Sequence, residues 1–295
     1  MIIGSQGKDS YGSRDANAMA TCLSYLVVLS PDAPRQTALR RAAALARSSG
    51  AEVIAFACDY LDARQMAHFN SRHDAKQATK QRLGQWLREQ IASLPEGSHV
   101  RTETAWNEDC LLAACHTAEH QGVCTIFLDR SQIEDASRWL DHGPCPLYLA
   151  ASTEPPPDAP ILAAVDPRRE DDTHTALNHS VLGTASNLAE DMGRQLQLVC
   201  ALDEQEAIAT HLGFDYLQDL TAEQAAIAQR FAVDPASVHL QLGRPCRVIE
   251  DCARQCRAAA VVIGNSREKS LASTLMGGKA EQLLDRLEGD LVVVN

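Results

Sequence analysis

A basic, glycine-bearing loop inside an otherwise acidic half of the chain has the makings of an anion site. Asp166 closes the run Ile161-Leu162-Ala163-Ala164-Val165, and a second run, Val261-Val262-Ile263, leads into Gly264, Arg267, Lys269, Gly277, Gly278 and Lys279. Glycines bring backbone N–H groups close to phosphate oxygens at a helix N-terminus, where positive charge also gathers. The surroundings sharpen this signal. Up to Thr153 the chain holds 15 Lys and Arg against 17 Asp and Glu, but from Glu154 onward it holds 12 against 22. Arg267, Lys269 and Lys279 therefore reverse the local sign inside an acidic half. That acidic balance argues against nucleic acid or an anionic membrane as partner, since both require basic surface.

Other constellations carry plainer readings. His116-Thr117-Ala118-Glu119-His120 fits H-x-x-E-H, in which i, i+4 histidines share a helix face as in zinc proteases. No third ligand has supporting spacing, so a solvated helix face is expected and no metal. Cys252 and Cys256 share a stripe with Val248 and Ile249, which burial against a sheet explains. An Asp before Pro commonly caps the next turn, so Asp166 has a structural reading beside its ligand reading. Gly277-Gly278 can likewise serve only to punctuate the loop before a helix expected over Lys279–Leu287. No nucleophile, base and orienting group converge, and no enzymatic activity is expected.

The elements that must position these residues occur twice. Tyr25-Leu26-Val27-Val28-Leu29-Ser30-Pro31 has its counterpart in Ile161-Leu162-Ala163-Ala164-Val165-Asp166-Pro167, and Thr37-Ala38-Leu39 in Thr175-Ala176-Leu177. Short apolar runs alternate with segments of helical period, the pattern of βαβ units around a parallel sheet. Strands are expected at Tyr25–Ser30, Glu52–Cys58, Val100–Ala105, Thr125–Leu128 and Leu147–Ala151. In the second copy they are expected at Ile161–Asp166, Gln195–Ala201, Val238–Gln241, Val261–Gly264 and Leu291–Val294. Their apolar continuity suits strands covered by helices on both faces. The fold class is thus α/β, two tandem doubly wound domains with five strands each. A tail is expected over 1–18, the first domain over 19–152, a proline-rich linker over 153–159 and the second domain over 160–295.

At 295 residues the chain is long enough for two such domains without staples. Aromatic residues make up only 4%, so aliphatic side chains must fill the cores. The ten cysteines are irregularly spaced beside apolar residues, as reduced thiols of a cytoplasmic protein would be. No apolar run reaches the ~18 residues of a membrane span, and residues 1–18 lack the apolar stretch of a signal peptide. Met19 is expected to be the natural start.

Val261-Val262-Ile263-Gly264-Asn265-Ser266, Leu275-Met276-Gly277-Gly278-Lys279-Ala280-Glu281-Gln282-Leu283-Leu284-Asp285 and Asp290-Leu291-Val292-Val293-Val294 together resemble the end of a universal stress protein domain. With Val28-Leu29-Ser30-Pro31, Ala38-Leu39-Arg40-Arg41-Ala42 and Ala176-Leu177-Asn178, the chain from Met19 to Asn295 is similar to the tandem, UspE-type branch of that family. The resemblance implies strand order 3-2-1-4-5 in each half and an internal pseudo-dimer, which a homodimer would double. It also implies a nucleotide site in the ATP-binding branch, marked by an acidic residue ending strand 1 and by G-x2-G-x9-G-[ST] after strand 4. Asp166, Gly264 and Gly277 match that pattern. Arg267 stands at the second glycine, and Gly278 where a hydroxyl belongs. ATP or another nucleotide is therefore expected to bind weakly or not at all as a cofactor. In the first repeat Ser30 replaces the acidic residue and Asp129-Arg130-Ser131-Gln132-Ile133 carries no glycine, so no nucleotide is expected there. The candidate set for a small molecule is Val165, Asp166, Cys200, Ala201, Ile263, Gly264, Arg267, Lys269, Gly277, Gly278 and Lys279.

Overall fold

A computed structural model describes residues 24–32, 35–95, 99–133, 136–168, 171–202, 216–265, 279–284 and 286–295. The expected N-terminal tail lies outside them. In the first repeat β1 (Ser24–Leu29), α1 (Thr37–Ser49), β2 (Glu52–Asp59), α2 (Ala63–Met66), α3 (Arg72–Ala92), β3 (Val100–Trp106), α4 (Cys110–Gln121), β4 (Thr125–Asp129), α5 (Ala136–His142) and β5 (Leu147–Ala150) follow in turn. The second repeat supplies β6 (Ile161–Ala164), α6 (Asp172–Met192), β7 (Leu196–Leu202), α7 (Tyr216–Phe231), β8 (Val238–Leu242), α8 (Pro245–Cys256), β9 (Ala260–Gly264), α9 (Lys279–Leu284) and β10 (Asp290–Val294). No helix among the described residues is long and apolar enough to cross a membrane.

The strands form one ten-stranded sheet in the order β3-β2-β1-β4-β5-β10-β9-β6-β7-β8. Each half reads 3-2-1-4-5 and is parallel throughout. The halves join where β5 and β10 run antiparallel, with Leu149 opposite Leu291 and Leu147 opposite Val293. Alternation along each strand divides the core between two faces. Val27, Ala55, Phe127, Ala163 and Val262 pack on one, and Leu26, Ile54, Ile126, Leu162 and Val261 on the other. Both clusters cross the junction, so neither repeat owns a separate core.

Local chemistry sets the helix ends that matter for the site. Asp171 caps α6 by accepting the His174 N–H at 2.9 Å, and Gly193 closes it in the left-handed region at φ 60°. The helix expected over Lys279–Leu287 is described over Lys279–Leu284, and the Leu287 N–H reaches the Leu283 carbonyl at 3.0 Å. Among the described residues eight cysteines are free, but Cys124 is disulfide-bonded, so the expectation of reduced thiols throughout fails at that position.

One carboxylate holds the junction. Asp290, 1% exposed, accepts hydrogen bonds from the Tyr148 hydroxyl at 2.6 Å, the Ala151 N–H at 2.7 Å and Arg41 Nε at 3.0 Å. All three donors come from the first repeat. Arg41 also ties down the linker, donating to the Thr153 carbonyl at 2.9 Å and pairing with Glu154. From the other side Arg194 Nη1 donates to the Pro156 and Ala159 carbonyls, each at 2.7 Å. Burial pushes the Asp290 carboxyl above its usual range, and the Arg41 charge opposes that push.

Removing one partner of a buried ion pair leaves the other uncompensated, so Arg41→Leu is expected to cost about 3–5 kcal/mol in urea unfolding near neutral pH. The deficit should shrink near pH 4. An acid whose folded pKa is raised contributes stability below its unfolded pKa and loses it as pH rises through the folded one, so protonating Asp290 relieves the variant.

Candidate functional site

Strand order reverses between β6 and β9, which opens a crevice at their carboxyl ends. The β6 ladder stops at Ala164, short of the expected Asp166, although the Val165 N–H still reaches the Val199 carbonyl at 3.1 Å. The reason is a side chain on α6. Asn178, 7% exposed, accepts the Asp166 N–H at 3.0 Å and donates Nδ2 to the Asp166 carbonyl at 2.7 Å. This amide occupies both backbone groups of Asp166 and lifts the chain out of the sheet. The Asp166 carboxylate then accepts the Arg168 N–H at 3.3 Å, the capping use open to an Asp before Pro. Arg168 in turn forks onto Glu223 of α7, with Nη2 at 3.0 Å from Oε1 and 3.3 Å from Oε2.

On the opposite wall, β9 ends at Gly264. A Cβ there would lie 2.5 Å from Leu177 Cγ, well inside contact distance. Glycine at 264 is therefore required by helix packing, independently of any phosphate. Immediately beyond, the Asn265 N–H donates to the Val294 carbonyl at 2.8 Å, and its Nδ2 donates to the Leu140 carbonyl at 3.2 Å. The loop after β9 thus starts anchored to both repeats.

Between these walls lies a cavity of about 120 Å³. Val165, Asp166, Ala201, Ile263 and Gly264 line it, so five of the expected site residues do converge. Cys200 does not. Successive strand residues face opposite sides, and its neighbours Val199 and Ala201 take the cavity side while Cys200 is buried in the other core, where desolvation pushes its thiol up to about 12. Arg267, Lys269, Gly277 and Gly278 lie outside the described residues, and Lys279 opens α9. His174, Leu177, Asn178 and Val181 complete one wall and were not among the expected residues. Their i, i+3, i+4, i+7 spacing is the signal that marks them as one face of α6.

In the first repeat the position equivalent to Gly264 is Asp129, which ends β4. Its Oδ1 accepts the Ala38 N–H at 3.0 Å at the start of α1, and Thr37 adds further hydrogen bonds. A side-chain carboxylate thus holds the helix terminus where a bound anion would otherwise sit. Oδ2 is buried and lacks a partner among the described residues, and burial raises the Asp129 carboxyl above its ordinary range. Beside it is a cavity of about 440 Å³, larger than that of the second repeat and also lined by Glu108, Asp109 and Arg138. The larger space is thus in the repeat that has lost the nucleotide pattern.

The remaining constellations have local partners. His116 and His120 contact each other edge-on, with ring centres 4.3 Å apart. Among the described residues no group of three His, Cys, Asp or Glu is placed to hold a metal. Cys252 is buried and hydrogen-bonded to half-buried Cys256, which that bond lowers to about 7.

Gly264→Ala is expected to destabilise the protein by about 1–3 kcal/mol through overpacking, and adding Leu177→Ala should recover part of the loss in a double-mutant cycle. Asp129→Asn provides a pH test. The raised folded pKa of Asp129 makes its contribution greatest below about pH 4, the unfolded Asp value, and smaller above it. Wild type should therefore lose stability relative to the Asn variant as pH is raised from 4 to 7 in parallel thermal melts.

A family profile described as the Universal stress protein family matches residues 159–295. Over almost the whole length the chain is similar to universal stress protein E of Salmonella typhi, 27% identical over 94% of this chain and 95% of that one. The Escherichia coli K12 protein of the same name is 26% identical over the same shares. Among solved structures, a functionally unknown protein from Pseudomonas aeruginosa PAO1 superposes with a TM-score of 0.72 at 24% identity, covering 95% of this chain and 94% of its own. A universal stress protein from Archaeoglobus fulgidus gives 0.61 at 14% identity, over 92% and 96%. With the duplicated 3-2-1-4-5 sheet, the family match over its second repeat and whole-length similarity to universal stress protein E, this chain is similar to tandem universal stress proteins.

Proposed function

We propose that the chain is a non-enzymatic, cytoplasmic stress-response protein whose second repeat binds a small and largely apolar molecule, while the first completes the assembly. The universal stress protein match over residues 159–295 and the whole-length similarity to universal stress protein E support the stress-response role. One observation carries the binding reading. The 120 Å³ space between β6 and β9 is walled chiefly by aliphatic side chains, Leu177, Val181, Val199, Ile249, Ile263 and Leu283 among them, with Asp166, His174 and Asn178 as its polar points. Volumes near this size accept a single small ring, whereas drug-sized ligands occupy about 300–1,000 Å³.

A second reading, a nucleotide-dependent switch with slow ATP hydrolysis, draws on Asp166 and Gly264 framing the same cavity at the switch point. Leu177 would have to leave Gly264 for a nucleoside to enter. Native mass spectrometry of protein purified from cells without added ligand separates the readings. A retained small-molecule mass that is lost in Ile263→Trp is expected, and ligand-free protein would count against it. Micromolar heats with ATP and magnesium, abolished by Gly277→Arg, would instead establish the switch.

A further inference from the structure

Two cysteines 52 positions apart in the chain meet at the carboxyl edge of the first repeat. Cys58 lies near the end of β2, and Cys110 is the first residue of α4. Both thiols approach one acceptor, the Asn107 carbonyl, at 3.5 Å from Cys58 Sγ and 3.8 Å from Cys110 Sγ, and they are hydrogen-bonded to each other. The short connection that brings them together is held at each point. The Asn107 N–H donates to the Asp59 carbonyl at 3.3 Å, Asn107 Oδ1 accepts the Asp109 N–H at 3.0 Å, and Asp109 caps α4 through the Leu112 N–H at 3.1 Å. Both cysteines are half-buried, and Cys110 lines the 440 Å³ cavity, so a small solute can reach its sulfur.

We propose that Cys58 and Cys110 form a dithiol modification site, oxidised by small hydroperoxides to a disulfide and reopened by a thiol reductant. The two sulfurs have different roles. Cys110, at a helix N-terminus with the Cys58 S–H directed at it, is the nucleophile, since both features favour its thiolate. Its pKa is lowered by the bond from Cys58, against burial and the charges of Asp59 and Asp109, whereas the Cys58 thiol is raised by the same bond and by burial. With hydrogen peroxide, the Cys110 sulfur attacks one oxygen, the O–O bond breaks, and the departing hydroxide takes the proton that Cys110 released and becomes water; an organic hydroperoxide releases its alcohol instead. Cys110 is then a sulfenic acid. The Cys58 sulfur attacks the Cys110 sulfur, the S–O bond breaks, and the thiol proton leaves with the hydroxyl as a second water. Two thiols have given two electrons to one peroxide.

Cys252 and Cys256 provide an internal contrast, because i, i+4 Cβ atoms on a helix are about 5–6 Å apart and a disulfide needs about 3.5–4.5 Å. Cys256, also favoured as thiolate, can be oxidised but cannot close onto Cys252 while α8 is intact.

Treating the full chain with hydrogen peroxide and digesting it without reductant tests the site. Digestion of the treated chain should yield one new cross-linked peptide pair containing Cys58 and Cys110, two hydrogens lighter than the two reduced peptides together and reversed by dithiothreitol. Before treatment Cys110 should alkylate about tenfold faster at pH 7 than Cys115, whose thiol burial pushes up to about 11. In Cys58→Ser the reaction should stop at a Cys110 sulfenic acid that dimedone traps, and Cys110→Ser should give neither product. Recovery of both residues of the wild-type chain as alkylatable thiols while Cys256 is oxidised would overturn the proposal, as would cross-links from either residue to any other cysteine. The wild-type peptide map decides this even if a variant fails to fold.

Discussion

The buried carboxylate of Asp290 is the constraint on which the assembly rests. A carboxylate away from water must be surrounded by donors, and Asp290 finds its donors on the other repeat, in Arg41, Tyr148 and the Ala151 amide. The requirement is directional as well as energetic. It accepts only one placement of β10 beside β5, and that placement sets the antiparallel register between Leu147–Leu149 and Leu291–Val293. Apolar contact alone would tolerate a slide of the two strands, since most of their facing residues are aliphatic. The ion pair makes a slide leave a charge unpaired.

Continuity of the sheet then determines what each repeat can do at its own switch point. The two repeats have related backbones and meet the same problem, a helix start facing the end of the fourth strand. The first answers with Asp129, whose carboxylate caps α1 and fills the space an anion would use. The second answers with Gly264, whose missing side chain lets Leu177 of α6 descend onto the strand. One solution is electrostatic and the other steric. Both reduce the room for a phosphate at that point, and they leave cavities of different size and character, acidic in the first repeat and aliphatic in the second.

Much of the architecture is legible in the residues themselves. Strands covered on both faces must be apolar along their whole length, which is why Val261–Gly264, Leu291–Val294 and Glu52–Cys58 stand out without knowledge of their partners. The end of β6 is less legible, because the ladder stops where Asn178 takes the Asp166 backbone, and nothing local to Asp166 announces that. The site divides in the same way. Asp166 and Gly264 are picked out by their match to the pattern that the family resemblance implies. Leu177 and Asn178 are ordinary helix residues until the helix is laid on the sheet. Cys200 illustrates the converse, since a one-residue change along a strand reverses the face, and the cavity takes Val199 and Ala201 instead.

Sequence alone was enough for the duplication and the alternation of strands and helices, because each is written in short-range pattern: the period of apolar residues and the reach of a turn. Only the tertiary structure decided that Arg41 would meet Asp290, that Leu177 would occupy the space above Gly264, and that Cys58 and Cys110 would share one carbonyl. Those contacts join residues between 52 and 249 positions apart. Local propensity does not reach across such separations; packing the helices onto the sheet brings the partners together.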